Sequence, residues 1–83
     1  MTGTIQAEAL FASDLQPSEL PTAGQVACAI DVSLRTRGGV EGCAAVVAAE
    51  YGDHPETAAL RMRWALSLAA TCAALAVAPT MAG

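Results

Sequence analysis

The chain is expected to fold as an all-α domain, and three observations predict this. Twenty of its 83 residues are alanine, the best helix former and a residue depleted in strands. Apolar residues recur at spacings of three and four along most of the chain after residue 22. Two breaks, Gly38-Gly39 and Gly52-Asp53-His54-Pro55, cut that pattern into helix-sized pieces. The apolar fraction of 54% adds little core volume, because so much of it is alanine and there is one Phe, one Tyr and one Trp. A chain this short buries only about 60% of its unfolded surface, so close helix packing has to supply the stability.

Residues 1–22 read as a leader or N-terminal arm. Ile5 to Ala12 predicts a short helix with Ile5, Ala9 and Phe11 as its apolar positions. Residues 13–21 carry Pro17 and Pro21 and read as extended or turn-like. Phe11, Leu15 and Leu20 are the expected anchors of this arm.

A three-helix domain is expected over 23–78. The first helix spans about 23–37. Thr22 is its N-cap and Gln25 completes a capping box. Val26, Ile30 and Leu34, flanked by Ala23 and Ala27, make its apolar face. Asp31 and Arg35 form an i,i+4 pair, and Arg35 and Arg37 suit the C-terminal end of the dipole. Gly38-Gly39 ends the helix. The second helix runs over about 40–51, with Val40, Cys43, Ala44, Val47, Ala48 and Tyr51 on one stripe and Gly52 as C-cap. The third runs over about 55–78, with Asp53 as N-cap, Glu56 completing a second capping box, and Pro79 setting its end. Leu60, Trp64, Leu68 and Leu75 are its main stripe. At about 36 Å it outreaches the other two, so its last third lacks intrachain cover. Residues 79–83 are a short tail.

Charge narrows the function. The formal net charge is −4, there is no lysine, and the four cations are Arg35, Arg37, Arg61 and Arg63. Residues 1–34 hold four acids and no cation. A duplex-binding domain draws most of its non-specific affinity from a basic face, and this chain offers two Arg pairs. Cys28, Cys43 and Cys72 are odd in number and widely spaced, which argues against a disulfide framework or a zinc pattern and for three buried thiols. No phosphate loop, paired-carboxylate site or nucleotide fingerprint occurs, so neither catalytic residues nor a cofactor nor a metal is expected. Residues 1–20 show no apolar signal-peptide core, which predicts a cytoplasmic location.

Three features suggest an activity. Residues 42–64 have the outline of a helix-turn-helix, with Ala48 in the first helix and Gly52 in the turn. His54, Thr57, Arg61 and Arg63 are its candidate nucleic-acid contacts, whereas Asp53 and Glu56 would oppose phosphate. His54 is eleven residues from Cys43, too far along a helix for a Cys-His pair. Residues 64–83 are 20 consecutive uncharged residues behind Arg61 and Arg63. That is the length of a membrane span, but alanine makes a marginal one.

The segments Phe11-Ala12-Ser13-Asp14-Leu15-Gln16-Pro17-Ser18, Gly42-Cys43-Ala44-Ala45, Glu50-Tyr51-Gly52-Asp53-His54-Pro55-Glu56-Thr57-Ala58 and Arg61-Met62-Arg63-Trp64-Ala65 resemble small hypothetical proteins of GC-rich actinobacteria. The resemblance covers about residues 11–65 and implies no activity.

The sequence thus predicts a non-enzymatic helical interaction or regulatory module that binds a protein partner or a second copy. Trp64, Leu68, Cys72 and Leu75 are the expected partner interface, because surplus apolar surface on a small chain marks such a site. A helix-turn-helix DNA-binding regulator and a membrane protein anchored by residues 64–83 remain the alternatives.

Overall fold

Among the described residues four helices form: α1 (Thr2–Phe11), α2 (Ala23–Arg37), α3 (Gly39–Asp53) and α4 (Pro55–Ala82). The computed structural model describes the backbone of residues 2–82 and the side chains of residues 4–71. The all-α class is as the sequence predicts. The count is four rather than three, because the leader helix is a full member of the bundle. It forms at Thr2–Phe11 and packs on all three other helices, most extensively on α4. Ala7, Ala9 and Leu10 are completely buried, and Phe11 and Ala12 nearly so. A helix that is apolar on most sides is stable only when surrounded, and burying Leu10 and Phe11 contributes about 1.5–3 kcal/mol each.

The 12–22 connection holds the other two arm anchors differently. Leu15 packs against the core, whereas Leu20 is 97% exposed. α2 then begins with the expected capping box. The Gln25 N–H donates to Thr22 Oγ1 at 3.1 Å, and the Thr22 N–H donates to Gln25 Oε1 at 2.8 Å. Val26 is buried, with Ile30 and Leu34 half-buried beside it. Ala23 and Ala27 are exposed, and Ala29 and Ser33 face inward instead. Gly38 (φ 92°) and Gly39 (φ 77°) take the left-handed conformation and reverse the chain. There the Gly38 N–H donates to Leu34 O.

α3 runs two residues past its expected stop. Gly52 lies inside the helix rather than capping it, and Asp53 is the last residue of α3 rather than the N-cap of α4. His54 alone makes the joint. Its N–H donates to Glu50 O at 2.7 Å and closes α3, while its carbonyl accepts the Ala58 N–H at 2.8 Å and opens α4. Because Gly52 is helical and its Cβ position is open, Gly52→Ala is expected to stabilise the protein by about 0.5–1 kcal/mol, read as a raised thermal midpoint.

α4 buries small residues rather than the leucine stripe. Ala58, Ala65 and Ala69 are at most 2% exposed, Trp64 and Leu68 are half-buried against the same cluster, and Leu60 faces solvent. Alanine on this face lets α1 approach closely, and Ala7 of α1 joins the same cluster, whereas Ala9 packs with Cys43 of α3. Tyr51 and Val40 of the α3 stripe are also partly exposed, Tyr51 stacking on Phe11 with ring centroids 6.3 Å apart. α4 passes Pro79 and continues to Ala82. The fixed φ of proline is helical, but inside a helix the residue removes one N–H and crowds the carbonyl four residues back, so the sequence expectation of a stop at Ala78 rests on a real cost that this helix bears. Among the described residues, no helix is long and apolar enough to cross a membrane.

Candidate functional site

The residues singled out from the sequence separate into an internal clasp, an exposed joint and the outer side of α4. The clasp forms where α1 ends. The last carbonyls of a helix lack intrahelical donors and carry the negative end of its dipole. Arg61, reaching across from α4, supplies donors. Its Nε donates to Phe11 O at 2.8 Å, and its Nη2 donates to Ser13 O and Leu15 O, both at 2.9 Å, with a longer contact to Leu10 O. The guanidinium sits 4.8 Å from the Trp64 ring centroid and 5.7 Å from that of Phe11, a geometry in which each ring face attracts the cation. Arg37 does the same from α2, its Nε donating to Ala12 O at 3.2 Å and its guanidinium lying 3.8 Å from the Asp14 carboxylate. Burial pulls the Arg61 guanidinium below its ordinary value, and the Glu50 and Asp14 carboxylates act in the opposite direction. It stays charged at neutral pH.

Of the four candidate nucleic-acid contacts, His54, Thr57 and Arg63 are exposed at or near the α3–α4 joint. Arg61 is turned the other way and engaged by the protein's own backbone. Asp53 and Glu56 are exposed beside the same joint, so the solvent face there is not basic.

Of the expected partner interface, Trp64 and Leu68 lean on the bundle core, and the side chains of Cys72 and Leu75 lie outside the described residues. The large apolar side chains that face solvent on α4 are Leu60, 62% exposed, and Leu66, 47% exposed. Ala59, Arg63 and Ala70 are exposed on the same side. The sequence stripe includes Leu60 but puts it on one face with Trp64 and Leu68 and omits Leu66, because it follows the largest residues, whereas the buried face follows the smallest.

The cysteines also differ from expectation. Cys43 is buried, and its Sγ lies 3.6 Å from Ser33 Oγ, tying α3 to α2. Cys28 is exposed, because its side of α2 borders an open cleft rather than another helix. That cleft, about 320 Å³, lies between α2 and the 12–22 connection. Among the described residues, no group of three His, Cys, Asp or Glu side chains is placed to hold a metal ion.

These features define a small four-helix protein with an internal cationic clasp and an exposed apolar helix face. Comparison with protein-family models, curated proteins and solved structures finds no match.

Proposed function

We propose that the protein is a non-enzymatic interaction module whose docking element is α4. One observation carries the reading: among the described helical residues, the two most exposed large apolar side chains, Leu60 and Leu66, both lie on the longest helix. α4 has 28 residues against 15 each for α2 and α3 and 10 for α1. At about 42 Å its length accounts for the 45 Å long axis of the molecule. Leu60 and Leu66 flank Arg63 on its outer side. The complementary partner is a protein surface with an apolar strip and a carboxylate opposite Arg63. The inward turn of Arg61 favours this reading over a DNA-binding one, since it withdraws one of only four cations from solvent.

A photo-reactive residue at position 60 or 66, introduced in cells that make the protein, is expected to yield one discrete protein adduct. Position 35, on the outer face of α2, is the comparison. Absence of any adduct at 60 and 66, or an adduct that Arg63→Glu leaves unchanged, would remove the proposal.

A further inference from the structure

The outer side of α4 carries a charge pattern as well as apolar residues. At 3.6 residues per turn, Glu56 and Arg63 lie two turns apart on one line down the helix. Ala59 and Leu66 flank that line on one side and Leu60 on the other, and all five side chains are exposed. Arg61 is turned inward onto the α1 end, so Glu56 and Arg63 are the charges that α4 presents to solvent. The side chains from Trp64 to Gly83 carry none. The ion pairs of the described residues join Asp31 to Arg35 and Asp14 to Arg37, so neither Glu56 nor Arg63 is matched among them. One face thus holds two unmatched charges of opposite sign with apolar residues between and beside them.

We infer that this face binds α4 of a second copy of the chain, antiparallel, about a twofold axis at Leu60. This rests on α4 being the docking element and names its partner. A twofold contact uses the same patch on both molecules, so the patch must complement itself. Glu56 lies four residues before Leu60 and Arg63 three after it. Antiparallel pairing about Leu60 therefore brings Glu56 of each copy to within about 1.5 Å of the height of Arg63 of the other. The two Leu60 side chains meet at the axis, and the small Ala59 beside each lets the helices approach. Leu66 reaches the level of the joint on the other copy, where the exposed Pro55 ring lies on the matching side of the helix. The neighbouring charges agree with this arrangement. Asp53, at the end of α3, and His54 stand beyond Glu56 at the same end of the face, so Asp53 adds a second carboxylate toward Arg63 of the other copy. Along the axis the two Glu56 positions are about 12 Å apart and the two Arg63 positions about 9 Å. Both exceed the screening length of about 8 Å at physiological salt, whereas the opposite charges stand level. Parallel pairing would instead set Glu56 against Glu56 and Arg63 against Arg63.

Sedimentation of the full chain from micromolar to millimolar concentration tests it. The wild type is expected to pass from monomer to dimer. Arg63→Glu and Glu56→Arg, both at exposed positions, are each expected to keep the helical circular dichroism and weaken the dimer by roughly 100-fold, since each sets like charges opposite one another twice per dimer. The double variant, Glu56→Arg with Arg63→Glu, exchanges the charges on both copies and should dimerise nearly as well as the wild type. Leu60→Asp leaves both ion pairs in place but sets two carboxylates together at the axis. It should also lose the dimer, and it reads the same contact with no change at the start of α4. A wild type that stays monomeric throughout, a dimer indifferent to the single changes, or a double variant no stronger than they are would overturn the inference. The photo-reactive residue at position 60 separates this pairing from the docking role of α4. An adduct of twice the chain mass is expected. An adduct of another mass, formed by a chain that sediments as a monomer, would overturn the self-pairing and leave α4 as a docking element, whereas no adduct would remove both.

Discussion

Arg61→Ala is expected to lower the unfolding free energy by about 3–4 kcal/mol, a large share of what a domain this small possesses. The side chain donates to four carbonyls at and beyond the end of α1 and lies against two aromatic rings. Truncation leaves those carbonyls without their cationic donor in a partly buried corner. Charge-assisted hydrogen bonds lost in that way cost more than their net contribution when made. Arg61→Lys separates the causes. Lysine keeps the positive charge at the negative end of the α1 dipole, but a single ammonium cannot reproduce a planar fork spread over several acceptors. Its expected loss is smaller, about 1–2 kcal/mol. Urea unfolding of the two variants beside the wild type reads both numbers. An alanine variant as stable as the wild type would mean that the 12–15 turn finds water donors without penalty, and the clasp would lose its role.

Arg61 also shows where sequence reasoning stopped short. The sequence groups it with Arg63 as an accessible pair within the helix-turn-helix outline. Residues two apart on a helix point to nearly opposite sides, so a packed helix could expose only one of them. The spacing carried that signal, but not which of the two faces inward. That depends on α1, some 50 residues away in sequence. The same long-range cause explains the arm. The 23–37 helix, its capping box and its glycine stop were readable because each is decided within a few residues. α1 was readable as a helix, but its place at the centre is set by cover from three other helices. The α4 face differs from the sequence expectation because a scale that ranks residues by hydrophobicity favours Leu60 over Ala58 and Ala65, whereas close approach of two helices selects the smaller side chain. The exposed residues of the candidate docking face, Leu60 and Leu66, follow from that choice and could be located only once the alanine side was seen to be buried.

Gly42→Ala is the second change expected to be severe, and it runs against helix propensity. Gly42 is in the first turn of α3, just after the Gly38-Gly39 reversal folds α3 back on the end of α2. A Cβ there would lie 1.5 Å from Arg37 O and 2.5 Å from the Arg37 carbonyl carbon. Both are backbone atoms, so no rotamer change relieves the overlap, and the α2–α3 corner itself has to open. That movement would shift Arg37, whose Nε caps Ala12 O, and so loosen one of the two cationic contacts on the end of α1. Overpacking alone costs about 1–3 kcal/mol where side chains can yield. With only backbone to yield, the expected loss is at least ~3 kcal/mol, against the gain of about 1 kcal/mol that alanine normally brings to a helix. Gly52→Ala, ten residues on in the same helix, retains that gain because nothing lies within 4 Å of its added methyl. The same substitution in one helix should therefore change sign between the two positions, in denaturant midpoints measured side by side. If Gly42→Ala matched or exceeded the wild type, the close seat of α3 against the Arg37 carbonyl would be wrong, and with it the coupling of the α2–α3 corner to the clasp.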